Sequence, residues 1–83
     1  MEWAPVNFFG SDDLWDVWLR DDDHGWIVGD NGTILYTADG GQIWNYQLAP
    51  TNARLEAVCF TSDNDGWAVG ANGTILYTDS AGI

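Results

Sequence analysis

The chain has 83 residues, 46% of them apolar and 14% aromatic, with ten Gly and two Pro; this supplies the core of one small domain and excludes a disordered segment. Thirteen acidic residues face only Arg20 and Arg54, with no Lys, for a net charge of −11. Such a chain repels nucleic-acid phosphates and anionic lipid, so neither nucleic acid nor a membrane is an expected partner. No apolar run approaches the roughly 18–20 residues of a membrane span, and Met1 to Phe9 lacks the basic start and apolar core of a signal peptide, so a soluble chain is expected. The lone Cys59 has no disulfide partner, and one His with one Cys is no zinc cage, so neither a metal nor any other cofactor is expected.

In chain order, strands are predicted at 2–8, at Leu14 to Leu19 and at Gly25 to Gly29. They continue at Thr33 to Thr37, Ile43 to Leu48, Leu55 to Phe60, Gly66 to Gly70 and Thr74 to Thr78. Asn31-Gly32 and Asn72-Gly73 suit tight turns with positive backbone dihedrals. Apolar residues stand on both parities of Leu14 to Leu19 and Leu55 to Phe60, the mark of a sheet covered on both faces.

These elements belong to a repeat. Gly25-Trp26-Ile27-Val28-Gly29 through Thr37 recurs as Gly66-Trp67-Ala68-Val69-Gly70 through Thr78, and the offset of 41 extends without a gap to Leu14/Leu55, Val17/Val58 and Trp3/Trp44. A unit of that length, rich in Trp, Val, Ile, Tyr and Thr, corresponds to one four-stranded β-propeller blade. The predicted fold is all-β, with two blades per chain: residues 14–48 form blade one, 55–83 the inner strands of blade two, and 2–8 the outer strand of a neighbouring blade. Head-to-tail homo-oligomerisation is then expected to close the propeller, with Trp3, Val6 and Phe8 completing a neighbour's last blade. A homotrimer with six blades is favoured and a homotetramer with eight comes next. A segment of a longer single-chain propeller is the alternative.

Thr37-Ala38-Asp39-Gly40-Gly41-Gln42-Ile43-Trp44 resembles the Asp-box of bacterial neuraminidase repeats, departing at Ile43. The run Gly-Trp-x-Val-Gly-x-x-Gly-Thr-Ile-Leu-x-Thr is similar to the blades of the photosystem II assembly and stability factor family. The resemblance implies a propeller that binds protein through an Arg-rich surface, a surface this chain lacks. In the box, Thr37 and Asp39 can hydrogen-bond their own hairpin, Gly41 permits an unusual backbone angle, and Trp44 covers the turn, which makes the box a folding device. A second, reduced box carries Thr78, Ser80 and Gly82.

No catalytic residue is expected. A sialidase needs an Arg cluster and a Tyr/Glu nucleophile pair, whereas Tyr36 and Tyr77 are repeat positions. The turns Asp21-Asp22-Asp23 and Asp63-Asn64-Asp65 have carboxylates but no closing Glu, so they are read as hairpin turns rather than calcium sites. His24 is expected in solvent and Cys59 in apolar surroundings. Trp15 and Trp18 have no aromatic counterpart one unit later and stand out as local features. The loop face at the channel mouth gathers the candidate ligand residues Arg54, Asn52, Asp30, Ser11 and Asp12. Arg54 could grip an anion there or pair with Asp12 or Asp13. The chain is therefore read as a non-catalytic scaffold or binding module whose partner is itself, with a basic protein or a glycan as the possible ligand.

Overall fold

The computed structural model describes residues 12–82, so Trp3, Val6, Phe8 and Ser11 lie outside the described residues. Within that span the chain forms two antiparallel sheets. Strands β1 (Leu14–Leu19), β2 (Gly25–Gly29), β3 (Ile34–Thr37) and β4 (Asn45–Gln47) make a four-stranded meander in chain order. Strands β5 (Leu55–Phe60), β6 (Gly66–Gly70) and β7 (Thr74–Thr78) make a three-stranded one.

The repeat is reproduced in the register. Leu14 pairs with Gly29 and Leu55 with Gly70, and in both sheets the pairing then skips one residue, Trp15 in the first and Glu56 in the second. The skipped residue is a β-bulge, which bends the inner strand and re-aims the bulged side chain. At the Asn-Gly turns, Asn31 and Gly32 lie at φ 57° and 70°, Asn72 and Gly73 at φ 60° and 73°. Thr33 N–H closes the first turn on the Asp30 carbonyl at 3.1 Å, and β3 begins at Ile34, one residue later than the pattern predicts. The outer strand is also shorter than expected. The Ile43 amide is diverted to the Asp39 side chain and Leu48 is fully exposed at the start of the connection to β5.

The core lies between the sheets. One face of blade one, carrying Trp26, Val28 and Ile34, packs on the face of blade two that carries Val58, Phe60, Ala68 and Ala81, with Leu55 filling the seam. The Trp26 and Phe60 rings are 4.1 Å apart between centroids. Polar contacts fasten the same seam: Asp16 Oδ2 accepts the Val58 amide at 3.0 Å, and Arg20 donates to the Asp63 carbonyl at 2.9 Å. The Ala81 carbonyl accepts from the Trp26 indole at 3.3 Å and from Gln47 at 3.2 Å. Among the described residues no helix is long and apolar enough to cross a membrane.

Candidate functional site

Each blade has two polar ends. At one end stand the Asp21–His24 and Asp63–Asp65 turns together with the two boxes, because Gly40 N–H bonds the Asp23 carbonyl and Ala81 N–H bonds the Asn64 carbonyl, each at 2.9 Å. Thr37 is buried and organises the first box. Its hydroxyl donates to Asp39 Oδ1 at 2.8 Å and accepts the Gly41 amide at 3.0 Å, while Asp39 Oδ1 also accepts the Ile43 amide at 3.0 Å. Trp44 lies across Gly41. In the second box Thr78 accepts the Ser80 and Gly82 amides at 3.2 and 2.9 Å. All these groups are spent inside their own hairpins. Thr37→Val keeps the shape but removes both roles of the hydroxyl, and is expected to lower stability by about 1–3 kcal/mol, read from the urea midpoint.

Two carboxyls at this end are held below their ordinary range. The Asp21 carboxyl is lowered first by the His24 ring, whose Nδ1 lies 2.8 Å away, and then by the Asp23 amide. The Asp39 carboxyl is lowered by the Ile43 amide and then by the Thr37 hydroxyl. A depressed folded-state value favours folding wherever the unfolded carboxyl is ionised, so this contribution is complete above the ordinary value of 3.8 and fades below it. The urea midpoint should therefore hold from neutral pH to about pH 5 and fall below about pH 4, with a shallower fall in Asp39→Asn. His24 is half-buried against Tyr36, with ring centroids 6.3 Å apart, rather than free in solvent. Among the described residues no three His, Cys, Asp or Glu side chains converge as metal ligands.

The other end is the mouth, and the residues that break the repeat collect there. Asp12, Asp13, Trp15 and Asp30 stand where the second unit has Ala53, Arg54, Glu56 and Ala71. The Trp15 indole N–H donates to Asp30 Oδ1 at 2.8 Å. Over the exposed Trp15 ring sits the Arg54 guanidinium, 4.8 Å from its centroid, and Arg54 Nη2 pairs with Glu56 Oε2 at 3.1 Å. Arg54 thus takes Glu56 and the indole, not Asp12 or Asp13. Asp12 is engaged elsewhere, accepting from Asn31 Nδ2 at 2.8 Å and from the Thr33 hydroxyl at 3.0 Å, which holds it over the Asn-Gly turn. Asn52 is exposed on the connection whose Ala53 carbonyl accepts the Gly32 amide at 2.8 Å. Chemically this is a cation–aromatic–carboxylate stack with nearby Asp13 exposed. It contains groups for gripping a charged segment and no nucleophile–base pair.

Two residues that matter escaped the sequence reading. Asp16 crosses the seam to the Val58 amide, and its signal was a carboxylate inside an otherwise apolar inner strand. Glu56, which stands at the position of Trp15 one unit later, carries no such signal in the sequence. Cys59, expected in apolar surroundings, is exposed, because it stands on the uncovered face of blade two.

Two stacked meanders with bulged inner strands, Asn-Gly turns and box hairpins define a blade pair of a β-propeller with neuraminidase-type repeats. Residues 1–83 match the family described as Photosynthesis system II assembly factor YCF48, and the chain belongs to that family. It is 36% identical over 62 residues to the photosystem II assembly lipoprotein Ycf48 of Prochlorococcus marinus, covering 70% of this chain and 18% of that protein. It is 38% identical over 42 residues to the photosystem II assembly protein Ycf48 of Thermosynechococcus vestitus, covering 51% and 12%. A solved structure, YCF48 bound to D1 peptide, superposes with a TM-score of 0.84 at 30% identity, covering 99% of this chain and 29% of that one. The chain therefore spans less than a third of the length of the relatives it matches.

Proposed function

We propose that this chain is a non-catalytic propeller segment of the YCF48 type that receives an extended peptide segment of a protein partner at its mouth, in a closed ring of blades. The observation that carries the reading is the gathering of Trp15, Asp30, Arg54 and Glu56 at one end, since these residues depart from the repeat and so answer to something other than blade packing. A D1 peptide bound to the related structure supports a peptide as the ligand class. The charge of −11 favours a segment with Arg or Lys side chains, one of which takes the place of Arg54 over the Trp15 face between the Asp30 and Glu56 carboxylates. The remaining mouth residues Ser11, Asp12 and Asn52 line its path. In the ring, residues 2–8 serve as an outer strand beside β7, with Trp3, Val6 and Phe8 toward the neighbour. Three chains with six blades come first and four with eight next.

The test is a titration followed by tryptophan fluorescence, with an Arg-rich nonapeptide, its Glu counterpart and a D1 peptide. Micromolar binding of the Arg-rich peptide, weakened by salt and reduced about tenfold or more in Trp15→Ala, is the expected result. Equal binding of the Glu peptide, or binding indifferent to Trp15→Ala, would overturn the reading of the mouth. Turnover of a fluorogenic sialoside would overturn its non-catalytic part.

A further inference from the structure

Both arginines of the chain lie over a tryptophan, and they are held in different ways. Arg20 stands 5.5 Å from the centroid of buried Trp26, reaches across the seam to the Asp63 carbonyl at 2.9 Å, and is 22% exposed. That contact belongs to the architecture. Arg54 stands 4.8 Å from the centroid of half-exposed Trp15 and is itself 45% exposed. Among the described residues its side chain bonds only Glu56, two residues on, with Nε and Nη2 donating to Glu56 Oε2 at 3.2 and 3.1 Å. The Trp15 ring is set without its help, by the bulge in β1 and by the indole bond to Asp30 Oδ1 at 2.8 Å. A carboxylate on the indole N–H also leaves the ring face more negative and so more attractive to a cation. The main chain beneath Arg54 is fixed too, its carbonyl accepting the Ala71 amide at 2.9 Å. The side chain can therefore swing away while the backbone and the aromatic platform stay where they are.

Resting on the reading of the mouth as a site for a cationic peptide, we infer that its cation subsite selects arginine over lysine and that Arg54 is a placeholder which the partner's arginine displaces. The structure displays a guanidinium in that subsite. Its flat, weakly hydrated faces suit an indole, while its N–H groups stay in the plane to meet a carboxylate. An ammonium is a compact, strongly hydrated centre that must shed water to sit on the ring. The resident side chain is weakly held, because an exposed ion pair between near neighbours contributes little and a solvent-exposed cation–aromatic contact little more. An incoming arginine takes over the same contacts. Its observed affinity is then lowered by the fraction of time the subsite is vacant, about four- to tenfold for a placeholder seated about three-quarters to nine-tenths of the time.

Calorimetric titration of the whole chain with two nonapeptides of equal charge, one rich in Arg and one in Lys, tests the selection without any substitution. The Arg peptide is expected to bind about fivefold or more tightly. Arg54→Lys and Arg54→Gln test the placeholder. Lys keeps the net charge but stacks less well, so affinity for the Arg peptide should rise about two- to threefold. Gln vacates the subsite, and the rise should reach about four- to tenfold, measured at about 0.3 M salt to screen the lost charge. A residue that merely held the mouth in shape would give the opposite order, with both variants weaker than wild type. Equal binding of the two peptides overturns the selection, and unchanged or weakened binding in Arg54→Lys overturns the placeholder. Where both cationic peptides bind alike and the Glu peptide does not, the mouth stands as a cationic-peptide site and the arginine selection alone falls. Where neither cationic peptide binds, both fall.

Discussion

Trp26→Ala is expected to cost about 3–5 kcal/mol, a large share of what holds the blade pair together. The side chain is 2% exposed and stacks on Phe60 at 4.1 Å and on Tyr36 at 5.1 Å. Arg20 lies 5.5 Å above its ring, and the indole donates to the Ala81 carbonyl. Removing it opens a void between sheets that share one core and leaves that carbonyl dependent on Gln47. Against a total of about 5–15 kcal/mol for a small domain, such a loss brings the chain close to unfolding at room temperature. Urea denaturation followed by far-ultraviolet circular dichroism measures it. Trp67→Ala is the control. The same repeat position is half-exposed there, so the loss should be under half as large, and equal losses would contradict the burial difference.

Gly32→Ala is expected to be the second most damaging change, at about 2–5 kcal/mol from backbone strain and overpacking together. Gly32 lies at φ +70°, and a Cβ built on it would run into the Thr51 carbonyl. That carbonyl belongs to backbone pinned by the neighbouring bond between Gly32 N–H and the Ala53 carbonyl, so it cannot swing aside as a side chain would. The corresponding Gly73 has nothing within 4 Å of such a Cβ. Gly73→Ala therefore bears only the dihedral cost of about 1–2 kcal/mol. Comparing the two thermal midpoints separates close approach from backbone angle at equivalent positions of one repeat.

Most of the architecture was legible because every repeated residue serves the blade itself. Asn31-Gly32 announces its turn through an intrinsic tolerance of positive φ, and Thr37, Asp39 and Gly41 bond within a few residues of one another. What depended on distance in space was not legible. Trp26 and Trp67 have nearly the same local sequence and opposite burial, since the difference lies in whether another sheet stands in front of them. Arg54 had carboxylates at Asp12, Asp13 and Glu56 to choose among. The choice was decided by Asn31 and Thr33 occupying Asp12, together with the proximity of Glu56 two residues further along the chain. Asp16 could be seen as an anomaly in its strand, but its partner could not, because the Val58 amide comes within reach only after the two sheets stack.

Asp16 and Arg20 fasten the internal seam, and the positions one unit later are Ala57 and Thr61, which offer no carboxylate and no guanidinium to a following sheet. The fastening is therefore directional and is not handed on. Pulled apart by force or by denaturant, any larger body made of such units should give way first at its unriveted boundaries, shedding intact doublets before single leaves.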